Sequence, residues 1–204
     1  MNKFLAFFAL TFLLCAAHNP LKPITIVFYG DSITAGYGLE RDLAFPAYVE
    51  SGLREQGYEV NVINAGLSGE TSAGGSSRIS WVLRQPVDIF VLELGANDGL
   101  RGLPIEQTKN NLQQIIDQVK EKYPKTKIVL AGMQVPPNLG EGYTNAFKKI
   151  YPELATKNQA LLIPFILEGI AGDEKLNQAD GIHPNVEGHK KVAQNVIKAL
   201  TKIL

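Results

Sequence analysis

The chain has 204 residues, 45% of them hydrophobic and 20% charged, with a formal net charge of zero. That is enough chain to bury one sizeable core, and the composition excludes intrinsic disorder, collagen and a long coiled coil. Charges of both signs are spread along the sequence, so the basic footprint of a nucleic-acid partner is absent.

The first seventeen residues differ from the rest. Lys3 precedes an apolar run, Phe4–Leu14, and then the small residues Cys15-Ala16-Ala17. The run is shorter than the roughly 20 apolar residues a membrane-spanning helix needs, so residues 1–17 read as a signal peptide. Cleavage is expected after Ala17, which predicts an exported protein, periplasmic or secreted. An uncleaved anchor and a lipoprotein modified at Cys15 are the alternatives, although Leu14 is bulky where a lipoprotein signal has a small residue. Cys15 is the only cysteine, so no internal disulfide can form. No repeat, low-complexity stretch or composition shift divides residues 18–204, which are expected to form one domain.

Five apolar runs then alternate with longer amphipathic ones. Ile24–Tyr29, Tyr58–Asn64, Asp88–Leu94, Lys127–Gly132 and Leu161–Phe165 predict strands. Continuous apolar strands suit a parallel sheet buried on both faces. Phe45–Gln56, Ile105–Tyr123, Asn145–Asn158 and Val186–Leu204 carry apolar residues at helical spacing. Strands alternating with helices predict an α/β sandwich with right-handed crossovers. Gly30-Asp31-Ser32, Gly66 and Gly95-Ala96-Asn97 each follow the end of a predicted strand. In open α/β sheets that rim is where ligands and reactive groups gather.

A serine nucleophile needs a base, a group that orients the base, and donors for the developing oxyanion. Of the three histidines, His18 lies beside the predicted cleavage site. His189 falls within the last helical pattern beside Lys190 and Lys191, and is expected to be solvated. That leaves His183, in the polar loop Asp180-Gly181-Ile182-His183-Pro184-Asn185, as the base of any histidine-dependent hydrolase. Asp180 lies three residues upstream, where a bent segment presents both side chains to one side. Ser32 follows a strand and a glycine that permits a sharp turn, without the G-x-S-x-G elbow of α/β-hydrolases. Gly66 can offer an unobstructed backbone N–H and Asn97 a carboxamide N–H.

Each residue has a plainer reading. Asp180 could cap the last helix while His183 bonds locally, Gly66 could be a turn glycine, and Asn97-Asp98-Gly99 could be a turn. Their occurrence together, in order and at strand ends, is what favours a site. No set of histidine, aspartate or cysteine has a recognised metal-ligand spacing.

Four blocks, Gly30-Asp31-Ser32, Asn64–Thr71 around Gly66, Gly95-Ala96-Asn97-Asp98 and Asp180-Gly181-Ile182-His183-Pro184, resemble those of the SGNH (GDSL-like) hydrolases over residues 24–200. Ile33 stands where the name-giving motif often has leucine. Glu93–Gly102 and Met133–Asn138 are most similar to the bacterial thioesterase I, lysophospholipase and arylesterase group. The resemblance implies a flavodoxin-like three-layer α/β/α sandwich around a five-stranded parallel sheet. It implies Ser32 as nucleophile, His183 as base, Asp180 as its orienter, and an oxyanion hole from Ser32 N–H, Gly66 N–H and Asn97. The loop after Asn97 (Asp98, Gly99, Leu100) and the Met133–Gly140 loop (Pro136, Pro137) are implied as the substrate-side walls. The latter loop is shorter than in the enterobacterial thioesterase and resembles the arylesterase branch.

No cofactor or metal is implied. The expected partner is a small acyl ester or thioester, with no nucleic acid, no stable membrane span and a monomeric chain. The alternatives are a carbohydrate O-deacetylase and a catalytically silent binding module, the latter disfavoured because no catalytic residue is lost.

Overall fold

The structure is a computed structural model that describes residues 22–204. The predicted signal peptide over residues 1–17, with Cys15, and the histidine at 18 lie outside the described residues.

Five strands, β1 (Ile24–Gly30), β2 (Val60–Asn64), β3 (Ile89–Glu93), β4 (Lys127–Ala131) and β5 (Leu161–Ile163), form one sheet in the order β2-β1-β3-β4-β5. All adjacent pairs are parallel. Around it run α1 (Ser32–Ala35), α2 (Phe45–Glu55), α3 (Ser72–Val82), α4 (Ala96–Leu100), α5 (Ile105–Lys122), α6 (Glu141–Asn158) and α7 (Val186–Leu200). β1 and β3 are mostly apolar and buried without alternation because both sheet faces are covered. Successive residues of β1 point to opposite faces. Phe28 meets Phe45 of α2 edge-on at 5.2 Å between ring centroids, whereas the Tyr29 hydroxyl donates to Gly75 O of α3 at 2.7 Å. Helices α2 and α7 therefore cover one face, and α3, α5 and α6 the other. This is the expected three-layer sandwich.

The helices form where apolar residues recur every third or fourth position. Phe45, Val49 and Leu53 of α2 are wholly buried, as are Leu112, Ile115, Ile116 and Val119 of α5. Truncating one of these, Leu53→Ala, is expected to cost about 2–5 kcal/mol. Asn185 caps α7 by accepting from Gly188 N at 3.1 Å. Helix α3 has no such stripe and was not foreseen: Ser72-Ala73-Gly74-Gly75 opens it, and Thr71 caps it at Gly74 N. Gly75 is set by packing, since a Cβ there would stand 2.5 Å from Leu94 Cδ1. Smaller differences are at element ends, where α6 begins at Glu141 rather than Asn145 and α7 stops at Leu200 rather than Leu204.

The strand order reverses between β1 and β3, where Gly30 pairs directly with Glu93. The crevice at such a reversal is where α/β sheets bind ligands. Among the described residues no helix is long and apolar enough to cross a membrane.

Candidate active site

At the end of β1 the chain turns sharply into α1. Asp31 is wholly buried and its Oδ1 accepts from Ile33 N at 3.1 Å, capping the short helix that Ser32 opens. Among the described residues the Ser32 N–H makes no hydrogen bond. Gly66 passes so near α1 that a Cβ there would stand 2.3 Å from Ala35 N. A glycine is required at 66 by this close backbone approach.

The last loop closes on the same point. Gln178 N donates to His183 O at 2.7 Å, and Gln178 Nε2 donates to Tyr37 O at 2.6 Å. Those bonds tie the histidine loop to the segment after α1. Asp180 Oδ1 accepts the backbone N–H groups of Ile182 (2.9 Å) and His183 (3.0 Å), while Oδ2 lies 2.7 Å from His183 Nδ1. His183 Nε2 is 2.9 Å from Ser32 Oγ. With its Nδ1 proton directed at Asp180, the imidazole leaves Nε2 free to accept from the serine hydroxyl. The His183 amide, then its ring, then the Ile182 amide hold the Asp180 carboxyl down at about 2. Tyr37, not singled out from the sequence, lays its ring against His183 at 4.6 Å.

Asn97 follows Gly95, which has φ 114° in a conformation that favours glycine. Asn97 Nδ2 donates to Glu70 O at 3.1 Å and to Asp31 Oδ2 at 3.3 Å, so the carboxamide is aimed from two sides. The Gly66 N–H donates to Asn64 Oδ1 at 3.0 Å. The loop bearing Glu70 is itself braced by Arg78, whose Nε donates to Glu70 Oε1 at 2.7 Å and whose Nη2 donates to Ala65 O at 3.0 Å.

Ser32, Asn97 and His183 open onto a cavity of about 730 Å³. Leu100, Pro136 and Pro137 line it, and Val135, Phe165 and Ile182 extend the apolar wall. Two expected wall residues do not belong there. Asp98 is buried, its Oδ1 accepting from Ser72 Oγ at 2.6 Å and its Oδ2 from Ser72 N at 2.8 Å. Gly99 packs where a Cβ would stand 2.4 Å from Val135 Cγ1. The reason is helical: α4 turns about 100° per residue, so Asn97 and Leu100 share the cavity side while Asp98 and Gly99 turn away. The size and mixed lining suit a small organic ligand with one reactive polar end.

His189, expected to be solvated, is 1% exposed. Its Nδ1 accepts from Phe45 N at 3.2 Å, supplying a partner to the first turn of α2. Among the described residues no three His, Cys, Asp or Glu side chains gather as metal ligands.

The profile of the GDSL-like lipase/acylhydrolase family matches residues 28–191. The chain is 38% identical over 181 residues to esterase TesA of Pseudomonas aeruginosa, covering 88% of this chain and 89% of that one. A solved crystal structure of TesA superposes with a TM-score of 0.84, covering 88% of this chain and 99% of the other. An arylesterase of Vibrio mimicus is 36% identical across 96% of both chains. Thioesterase 1/protease 1/lysophospholipase L1 of Escherichia coli K12 is 36% identical over 88% of this chain and 85% of its own. With its five-stranded parallel sheet, its four motif blocks and these relatives, the chain belongs to the GDSL-like lipase/acylhydrolase family.

Proposed function

We propose that the protein is an esterase that hydrolyses carboxylic esters, and thioesters by the same route, in acyl substrates such as lysophospholipids, acyl-CoA or aryl esters. The observation that carries the reading is the relay from Asp180 Oδ2 to His183 Nδ1 (2.7 Å) and from His183 Nε2 to Ser32 Oγ (2.9 Å), at the floor of a largely apolar cavity.

His183 takes the hydroxyl proton as Ser32 Oγ attacks the acyl carbon, and Asp180 stabilises the imidazolium. The oxyanion accepts from the Ser32 N–H, with Gly66 N–H and the Asn97 carboxamide turning part of their present hydrogen bonding toward it. Collapse expels the alcohol or thiol, which leaves with the proton from His183. Water then repeats the sequence on the acyl-enzyme. The apolar wall of Leu100, Pro136, Pro137 and Ile182 suits an acyl or aryl group better than an acetylated sugar. Residues 1–17 act as a signal peptide, and the mature, exported chain begins at His18. N-terminal sequencing of the native protein checks this, and a diacylglyceryl group on Cys15 would contradict it.

The deciding experiment assays purified mature protein against p-nitrophenyl esters of graded chain length beside acetylated xylan. Hydrolysis of the nitrophenyl esters with little release from xylan is expected. The reverse preference overturns the acyl reading.

A further inference from the structure

Beneath Ser32 lie two carboxyl groups that the relay above does not use. Asp31 and Glu93 are both wholly buried. They meet where β1 pairs with β3, and a Cβ at Gly30 would stand 2.4 Å from Glu93 Oε2, so glycine leaves the space that the carboxyl fills. Glu93 Oε2 lies 2.7 Å from Thr34 Oγ1 and accepts from Asp31 N at 3.4 Å. Glu93 Oε1 is buried without a hydrogen-bond partner among the described residues. Asp31 in turn holds Ile33 N through Oδ1 and Asn97 Nδ2 through Oδ2. The pair therefore grips the nucleophile's helix at Asp31, Ile33 and Thr34, and reaches the carboxamide of Asn97.

Two carboxylates cannot both stay charged in such a site, because each loses its hydration and repels the other. The donors decide which one keeps the charge. Asp31 receives a backbone N–H and a carboxamide N–H, with His183 nearby; Glu93 receives one hydroxyl and one long amide contact. Around them, α6 contributes Tyr151, whose hydroxyl donates to Leu94 O, and the loop after β2 contributes Glu70, paired with Arg78. None of these brings a free cation to Glu93. Burial first, then the Asp31 charge, push the Glu93 carboxyl well above the usual range. Burial raises Asp31 to about 6, opposed by its bond from Ile33 N and by His183.

We propose that Glu93 is a positioning residue held as the neutral acid beneath the nucleophile, leaving Asp31 as the single carboxylate that orients Asn97 and faces His183. The inference rests on the esterase reading of Ser32 and His183. A neutral Glu93 anchors Thr34 and the Asp31 amide without setting a second negative charge below the oxyanion. The one remaining charge, on Asp31, faces the imidazolium that forms during attack.

The test compares the full mature protein with Glu93→Gln and Glu93→Leu. Infrared spectra at neutral pH should show a buried protonated-carboxyl band that Glu93→Gln removes. Absence of that band overturns the proposal, whatever the enzyme hydrolyses. In ester hydrolysis, Glu93→Gln should stay within about threefold of wild-type kcat with an unchanged pH profile, because an amide has the acid's shape and neutrality. Glu93→Leu should lose roughly tenfold or more in kcat with KM nearly constant, as expected when reacting groups are misplaced. Glu93→Gln falling as far as Glu93→Leu, or shifting the pH profile, overturns it. If Glu93→Leu does not fold, the infrared band and the Glu93→Gln profile decide alone. A wild type that hydrolyses no ester while showing the band would refute the functional reading and not the protonation.

Discussion

Ser32 Oγ and His183 Nε2 stand 2.9 Å apart although 151 positions separate them in the sequence. The sheet brings the first to the end of β1, and Gln178 ties the loop of the second to Tyr37, just beyond α1. Removing the hydroxyl should therefore abolish turnover without disturbing the fold, since Ser32 Oγ bonds only to that imidazole among the described residues. Ser32→Ala is expected to lose on the order of 10⁶ in kcat with an unchanged circular dichroism spectrum. Near wild-type turnover by the purified variant would refute Ser32 as nucleophile.

The two described histidines should separate by phenotype. His183→Ala should be nearly as damaging to kcat as Ser32→Ala and should leave stability almost untouched. His189→Ala should do the opposite, because it strips the acceptor from Phe45 N and opens a buried space beside the Phe45 ring. The orphaned amide alone is expected to cost about 1–3 kcal/mol. For a chain of this size that lowers Tm by roughly 2–4 °C per kcal/mol. Thermal unfolding beside steady-state kinetics checks both, and equal activity losses at the two positions would contradict the assignment.

Where the sequence succeeded and failed follows from what patterns can carry. Ser32, Asn97 and the Asp180–His183 loop were legible because chemistry-bearing residues at strand ends converge on one rim of a parallel sheet. Helix α3 was not, because it packs through Gly75, fitted against Leu94 and Ile115, and not through an apolar stripe. His189 lies three positions before Val192 and seven before Val196, both buried, so it shares the inward face of α7. The flanking Lys190 and Lys191 obscured that periodicity. The inward turn of Asp98 depends on Ser72, a partner 26 positions away that no local pattern announces.

Acid should weaken the fold through His189. Burial, and then the charge of His183, lower its pKa from 6.5 to about 4. The folded chain keeps it neutral, so between pH 6.5 and 4 the unfolded state binds more protons. Its contribution is complete above pH 6.5 and is lost as pH falls toward 4, at most about 3 kcal/mol. Asp31, raised to about 6, works in the opposite sense over part of that range. The difference between wild type and His189→Gln is therefore the informative quantity. Chemical denaturation at pH 7 and pH 5 should show wild type losing more stability than the variant. Parallel pH profiles for the two proteins would rule out His189 as the titrating group.

Asn97 separates an oxyanion donor from a residue that only shapes a turn. Its carboxamide lines the cavity that Ser32 opens onto and donates to Glu70 O and Asp31 Oδ2, bonds it must partly give up to reach an oxyanion. A turn role needs only a residue that tolerates the start of α4, and glycine or aspartate would serve. A donor role needs the N–H, which both substitutions remove, and Asn97→Asp would also set a negative charge against Asp31 and the developing oxyanion. Losing one such donor typically costs about 2.7–4 kcal/mol, or 10²–10³ in kcat. Because the interaction strengthens as charge develops, the loss should fall on kcat and leave KM nearly unchanged. Asn97→Gly should therefore fold, bind ester substrate about as tightly as wild type, and turn over at least a hundredfold more slowly. Asn97→Asp should be slower still than Asn97→Gly, because its carboxylate repels the developing negative charge. Asn97→Gly retaining more than about half of the wild-type kcat, against the loss expected of a missing donor, would reduce Asn97 to a turn residue.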